Sequence, residues 1–155
     1  MSERPFLYFE DYPLREDKRL GPFVVTREEL ERYLELSGEN HPIHMDDAFA
    51  ERVDMGRRIL PGLLVHQTAS RNSRAGEDRP YAVVALRWAH YDYLAPVHVD
   101  QPFWVVSRVE SKEVIDKRRG TVEALRRILD EKDNLLTVAR LNMLVLRRPD
   151  EREDE

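Results

Sequence analysis

A carboxylate and an imidazole lie five residues apart in the polar segment that runs from Ser37 to Asp46. Pro42 braces this segment between Glu39 and His44, so one loop can direct both side chains to one point. Such a pair can hold a water molecule, because either group can take a proton from it while the other orients it or returns one. We therefore predict an acid–base pair acting on water. A charged loop with a purely structural role has the same spacing and stays open as an alternative.

The backbone amide of Gly62 is the second candidate for chemistry. Pro61 suits the first turn of a helix, which we predict from Gly62 to about Ser73. The first N–H groups of a helix have no intrahelical partner, and the helix dipole makes that end positive. Gly62 can donate its N–H there, and the lack of a side chain lets a ligand approach closely. One such donor to a developing oxyanion stabilises the transition state by roughly 3 kcal/mol. A simple turn entering a core helix fits the same Pro-Gly pair.

The elements around these residues predict an α+β domain. Thr26 and Glu29 have the spacing of a capping box, which starts a helix that ends near Gly38, and a short helix follows at residues 46–51. Strands are predicted at residues 23–25, 81–93, 103–114 and 135–146, with a hairpin turn at 131–134. Residues 121–129 fit either helical or strand spacing.

Two further expectations concern packing. The stretch before Gly21 mixes aromatic and charged residues, and we expect it to lie over the surface of the domain. In the predicted strand at residues 103–114, alternation places Val105 and Val109 on one face and Lys112 on the other.

Composition limits the class of protein. The chain has 155 residues, enough for one domain, and its net charge of -5 argues against nucleic acid as a partner. It has no cysteine, which excludes disulfides and thiolate chemistry and fits a reducing compartment. We find no apolar run of signal or membrane-spanning length, so we predict a cytoplasmic protein with no membrane partner. The charged residues 150–155 are expected to be disordered.

Residues 33–62 resemble the MaoC-like or (R)-specific enoyl-CoA hydratase family. The family signature reads roughly Ser-Gly-Asp-x-Asn-Pro-Leu/Ile-His with an Asp two residues later, followed by Phe-Gly-x-x-Ile-x-His-Gly. The matching residues here are Ser37, Gly38, Pro42, Ile43, His44, Asp46, Ala50, Gly56, Ile59 and Gly62. The stretch Tyr93-Leu94-Ala95-Pro96-Val97 is similar to a third landmark of the family, where one strand ends before the next begins.

The resemblance implies a hot-dog fold, in which a curved antiparallel β-sheet wraps around one long central helix, and a homodimer that can assemble further. It implies reversible hydration of trans-2-enoyl-CoA to (R)-3-hydroxyacyl-CoA, with an acyl-CoA substrate and no metal or organic cofactor. Carried over to this chain, Glu39 and His44 hold the catalytic water, the Gly62 N–H polarises the thioester oxygen, and His41 stands at a substrate-binding position. The resemblance also implies a strand at residues 121–129.

The chain departs from the signature at three positions, with Glu39 for the family Asp, His41 for Asn and Pro61 for His. Glu39 keeps the charge but reaches one methylene further. Two alternatives follow: a non-catalytic hot-dog subunit that binds acyl-CoA or stabilises a catalytic partner, and a hot-dog thioesterase, against which the Pro-Ile-His core argues. Three arginines after the predicted helix form either a solvated face or a contact for coenzyme A phosphates: Arg71, Arg74 and Arg79.

Overall fold

The computed structural model of the protein describes residues 5–71 and 77–149. Its helices are α1 (Arg27–Ser37), α2 (Pro42–Met45), α3 (Asp47–Arg52) and α4 (Gly62–Arg71). Its strands are β1 (Lys18–Phe23), β2 (Val83–Tyr93), β3 (Phe103–Val114), β4 (Arg119–Leu129) and β5 (Leu135–Leu146). The predicted end of the long helix near Ser73 and the predicted disorder of residues 150–155 lie outside the described residues. No helix within the described ranges is long and apolar enough to cross a membrane.

The five strands form one antiparallel sheet in the order β1-β3-β4-β5-β2. β4 lies at its centre and pairs with both neighbours, so that Thr121 lies opposite Glu113 on one side and Leu144 on the other. The strand at residues 121–129 is thereby confirmed, because only an extended backbone can form two ladders at once. The hairpin turn predicted at residues 131–134 joins β4 to β5.

Helix α4 packs on the inner face of this sheet and forms the main core. Leu64 and Val65 of α4 belong to the same buried cluster as Val105 of β3 and Ile128 of β4. Burial of one aliphatic side chain contributes roughly 1.5–3 kcal/mol, so the cluster fixes α4, and with it Gly62, on the sheet. The predicted α+β architecture, a curved antiparallel sheet wrapped around a central helix, is confirmed.

The N-terminal segment before β1 covers the other end of the same inner face. The sequence predicts this segment on the surface, but Phe9 is buried and forms a second cluster with Val122 and Val145. Phe9 reaches the core because Gly120 of β4 leaves the space that its ring occupies, while residues 13–17 of the same segment are exposed. A Cβ on Gly120 would lie 2.5 Å from that ring, closer than any real contact.

The first strand begins earlier than predicted. β1 spans Lys18–Phe23 rather than residues 23–25, because its backbone pairs with β3 from Lys18, opposite Ser107, onwards. Val25 is buried at 2% exposure in the loop that follows. Phe23 is thus the last residue of β1, and the apolar character of Val25 reflects its place in the core and not a strand.

A β-bulge changes the faces of β3. The register of β3 against β4 shifts between Val109 and Ser111, which adds one residue to the strand. Lys112 then lies on the inner face instead of the predicted outer face. Its Nζ donates to the backbone carbonyl oxygens of Phe9 at 3.1 Å and Tyr12 at 3.0 Å. The bulge thus ties the N-terminal segment to the sheet.

Candidate active site

Helix α1 leads the chain into the loop that carries Glu39. The predicted capping box at its N-terminus is confirmed, since Thr26 and Glu29 accept from each other's backbone N–H groups at 3.2 and 3.0 Å. The helix ends at Gly38, whose φ of 71° lies in the left-handed region that glycine adopts without strain. Glu39 Oε1 then accepts from the N–H of His41 at 3.0 Å. The backbone of the loop thereby fixes the position of the Glu39 carboxylate.

His44 lies in α2, a single helical turn that the sequence did not predict. Its Nδ1 lies 2.8 Å from the carbonyl oxygen of Ile59. A carbonyl only accepts hydrogen bonds, so Nδ1 carries the hydrogen in the neutral imidazole and Nε2 carries the lone pair. Ile59 comes three residues before Gly62, so this hydrogen bond holds the imidazole beside the start of α4.

Glu39, His44 and Gly62 line one cavity of about 470 Å³. The loop after α1, the turn of α2 and the N-terminus of α4 each contribute one of them. Its other walls are mainly apolar or aromatic and include Tyr33, Leu63, Tyr93, Pro96 and Thr137. The structure therefore brings three of the four predicted site residues together around a space that a small ligand can enter.

The start of α4 is packed tightly beneath Tyr93. A Cβ on Gly62 would lie 2.1 Å from Cε1 of the Tyr93 ring, so only glycine fits at this position without a shift of the ring. No carbonyl among the described residues accepts from the Gly62 N–H, whereas the N–H of Leu64 already donates to Pro61 at 3.0 Å. The Gly62 N–H is thus left for a ligand in the cavity.

His41 has a different position from the other predicted residues. Its Nδ1 accepts from the N–H of Ile43 at 3.2 Å and so caps α2. Its ring packs edge-on against Phe49, with the centroids 5.8 Å apart. His41 is not among the described residues that line the cavity. Direct contact between His41 and a substrate stays a prediction.

A buried neutral histidine supports one wall of the cavity. Thr137 Oγ1 donates to the carbonyl of Asp92 at 2.9 Å and accepts from Nε2 of His66 at 2.9 Å. Burial, together with the positive charge of Arg126, lowers the pKa of His66 to about 4. His66 is therefore uncharged near neutral pH and holds Thr137 through a hydrogen bond between neutral groups.

Sequence reasoning did not place Tyr93, Tyr33 or Thr137 in this cavity. Tyr93 carries a signal, since it begins the stretch that is similar to a family landmark. Tyr33 gives no signal of a ligand site, because its spacing with Leu30 and Leu34 fits the buried face of a helix. Thr137 has no signal of its own, because alternation in a strand predicts that it points inward but not which cavity it lines.

The structure shows other partners for two arginines that the sequence analysis singled out. Arg71 Nη1 lies 3.3 Å from Glu29 Oε1, and Arg79 Nε lies 3.2 Å from Asp78 Oδ2, while Arg74 lies outside the described residues. Contact between these arginines and coenzyme A phosphates stays a prediction. Within the described ranges, no group of three or more His, Cys, Asp or Glu side chains could hold a metal ion.

Comparisons with known proteins agree with this architecture. The monoamine oxidase regulatory protein from Archaeoglobus fulgius has a TM-score of 0.83 at 22% identity, over 94% of this chain and 98% of that one. The (R)-hydratase PhaJ1 from Pseudomonas aeruginosa has a TM-score of 0.73 at 16% identity, over 91% and 86%. The C-terminally truncated HadBC (3R-hydroxyacyl-ACP dehydratase) complex from Mycobacterium tuberculosis has a TM-score of 0.69 at 16% identity, over 84% and 96%.

At these identities the structural likeness establishes the fold, and a comparison with curated protein sequences gave no match. The family assignment comes from the sequence itself. Residues 13–131, well over half of the 155 residues, match the model of the MaoC like domain. The protein therefore belongs to the MaoC-like dehydratase family and has its hot-dog fold.

Proposed function

We propose that the protein is a hydro-lyase that reversibly hydrates a trans-2-enoyl thioester of coenzyme A to the (R)-3-hydroxyacyl thioester. The observation that carries the proposal is the single cavity lined by Glu39, His44 and Gly62. Membership of the MaoC-like family supports the reaction class, as do the names of two structural relatives, an (R)-hydratase and a 3R-hydroxyacyl-ACP dehydratase.

In this proposal a water molecule donates one hydrogen bond to the Glu39 carboxylate and the other to His44 Nε2. The hydrogen bond between Nδ1 and the Ile59 carbonyl makes Nε2 an acceptor. The two acceptors aim the lone pair of the water at C3 of the enoyl group. As the oxygen bonds to C3, Glu39 takes the proton and then delivers it to C2. One water is added across the double bond, and the site ends in its starting state.

The Gly62 N–H stabilises the charge that develops between these two steps. When water attacks C3, electrons move to the thioester oxygen, which gains negative charge. A preorganised N–H at that oxygen lowers the activation free energy by roughly 3 kcal/mol. Pro61, which stands where the family has His, has no N–H, but the donor at Gly62 does not depend on it.

Hydration of crotonyl-CoA and trans-2-hexenoyl-CoA tests the reaction. We expect the purified protein to catalyse loss of the enoyl-thioester absorbance, with the (R)-3-hydroxyacyl-CoA as the product identified by chiral chromatography. Release of free coenzyme A thiol without hydration would identify a thioesterase instead. If the protein binds these thioesters but catalyses neither reaction, the proposed enzymatic activity is contradicted and a non-catalytic subunit is indicated.

We also propose that two copies of the chain pair through β2. This strand lies at the end of the sheet, so one side of its backbone has no strand partner within the described residues. Four of its apolar side chains are exposed: Val83, Val84, Leu86 and Trp88. An open edge with apolar side chains favours association, and a twofold axis beside β2 would extend the sheet and bury both features.

Trp88→Glu should convert the dimer to monomers, because association would bury an unpaired carboxylate. In sedimentation experiments we expect the wild type at twice the chain mass of 18.3 kDa and the variant at that mass. Leu36→Glu is the matched control, since Leu36 is 89% exposed on α1 and away from β2. A wild type that stays monomeric at high protein concentration would contradict the dimer.

A further inference from the structure

A second cavity, of about 530 Å³, adjoins the candidate active site. The two cavities share Tyr33 and Leu63 as walls, so they lie side by side with only these side chains between them. Much of its lining is apolar, including Leu86, Leu141 and Met143 of the sheet. Such a lining suits an acyl chain.

Arg126 is the one side chain charged near neutral pH among the described residues that line this second cavity. Its Nη1 donates to Ser70 Oγ at 2.8 Å and to the carbonyl oxygen of His66 at 3.4 Å. Its Nε is buried and has no hydrogen-bond partner within the described residues. Burial lowers the pKa of the Arg126 guanidinium, and no carboxylate in the described ranges offsets this effect.

No carboxylate lies within hydrogen-bond distance of the half-buried Arg126 guanidinium among the described residues. Arginine is seldom withdrawn from water unless it is paired, because removal of the charge from water costs free energy that an ion pair offsets. A buried N–H without an acceptor adds a further cost in free energy. The oxygens around Arg126 are a hydroxyl and a peptide carbonyl, which carry no charge. A bound carboxylate would supply the missing charge, and its two oxygens match the fork of a guanidinium.

The position of Arg126 relative to the proposed thioester site follows from helix geometry. His66 and Ser70, which its guanidinium contacts, lie four and eight residues after Gly62 on α4. At 1.5 Å per residue these positions are about 6 and 12 Å along the helix axis from Gly62. The guanidinium therefore lies one to two helical turns from the thioester oxygen, on the side that an acyl chain entering the second cavity would take.

We propose that Arg126 binds a carboxylate at the far end of the acyl group, so that the preferred substrate is the coenzyme A thioester of an unsaturated dicarboxylic acid. This inference rests on the proposed hydratase function and names the substrate class of that site. The phosphates of coenzyme A fit this cavity poorly, because they lie on the other side of the thioester and carry several charges against one cation.

Two substrates that differ at one group test the proposal. In trans-2-hexenedioyl-CoA a carboxylate replaces the terminal methyl of trans-2-hexenoyl-CoA. We expect wild-type kcat/KM to be at least about tenfold higher for the diacid. Arg126→Met should lower the diacid value by roughly 10- to 100-fold, mainly through KM, and leave the monoacid value within about threefold. Arg126→Lys should keep part of the preference and serves if the Met variant does not fold.

Arg140→Met is the matched control, because Arg140 is exposed on the outer face of β5 and its loss removes the same charge. Arg140→Met should leave kcat/KM unchanged for both substrates. Hydration of the monoacid without a preference for the diacid would overturn the role of Arg126 and leave the hydratase function standing. Equal losses of kcat/KM on both substrates in a folded Arg126→Met protein would show that Arg126 positions α4 and does not bind the substrate. This result would also overturn the proposed role of Arg126. Hydration of neither substrate by the wild type would overturn the proposed function itself.

Discussion

Glu39→Gln and His44→Asn should each lower kcat/KM for enoyl-CoA hydration by roughly 10²- to 10⁴-fold, the range that a positioned acid or base contributes. Glutamine keeps the size of Glu39 and the acceptor for the His41 N–H, but it cannot take the proton from water. Asparagine in place of His44 can still donate to the Ile59 carbonyl, but it has no counterpart of the Nε2 lone pair. Loss of absorbance at the enoyl thioester, followed at saturating and limiting substrate, gives both kcat and KM.

Two substitutions of the same chemical type control for charge and fold. Glu35→Gln changes an exposed carboxylate on α1, and His90→Asn changes an exposed imidazole on β2. Both should retain activity within about twofold, since surface substitutions away from a site have small effects. Circular dichroism and the melting temperature show whether each variant is folded. A folded Glu39→Gln or His44→Asn protein with near wild-type kcat/KM would remove that residue from the mechanism.

Gly62→Ala should be the most disruptive single-methyl change at the site. The new Cβ would lie 2.1 Å from the Tyr93 ring, so the ring or the start of α4 must move. Overpacking of this kind costs roughly 1–3 kcal/mol of stability. A displaced N–H at the thioester oxygen should also lower kcat by roughly 10²- to 10³-fold, as loss of an oxyanion donor does. Thermal melting and steady-state kinetics measure the two effects separately.

The double variant Gly62→Ala with Tyr93→Ala identifies the cause. If the clash with the ring is responsible, Tyr93→Ala should restore much of the stability lost in Gly62→Ala, and the two effects should be clearly non-additive. Tyr93 is 53% exposed, so its removal alone should be tolerated by the fold. Unchanged melting and activity in Gly62→Ala would show that the ring has room to move and that the N–H position is not critical.

Local signals in the sequence predicted much of the fold. The capping box of Thr26 and Glu29 and the left-handed Gly38 are set by neighbouring residues, so the limits of α1 could be read directly. Alternation predicted β3 and β5, whereas the spacing of residues in β4 left helix and strand open. The exceptions depend on distant partners: Phe9 is buried because Gly120, far along the chain, makes room for it, and Lys112 changes face because of a bulge that alternation does not encode.

In the candidate site, too, residues in local motifs could be predicted from the sequence, and contacts with distant parts of the chain could not. Glu39, His44 and Gly62 lie in short motifs, which is why sequence placed all three before the structure showed that they line one cavity. The contact between Gly62 and Tyr93 could not be predicted, since it joins a helix to the end of a strand about thirty residues later. Arg126 gave no signal either, because an arginine in a strand usually faces solvent, and only the packing of α4 encloses it.

The division of the inner face between α4 and the N-terminal segment has an energetic consequence. The buried cluster around Ile128 and the cluster around Phe9 have no member in common, although both rest on the same strands. Substitutions that lie far apart and share no partner change the free energy of unfolding additively. Loss of stability from a variant beneath Phe9 therefore adds to loss from a variant beneath α4, without altering how tightly α4 holds Gly62. The N-terminal cluster can accept sequence change, and adjust the overall stability of the protein, while the geometry of the cavity is preserved.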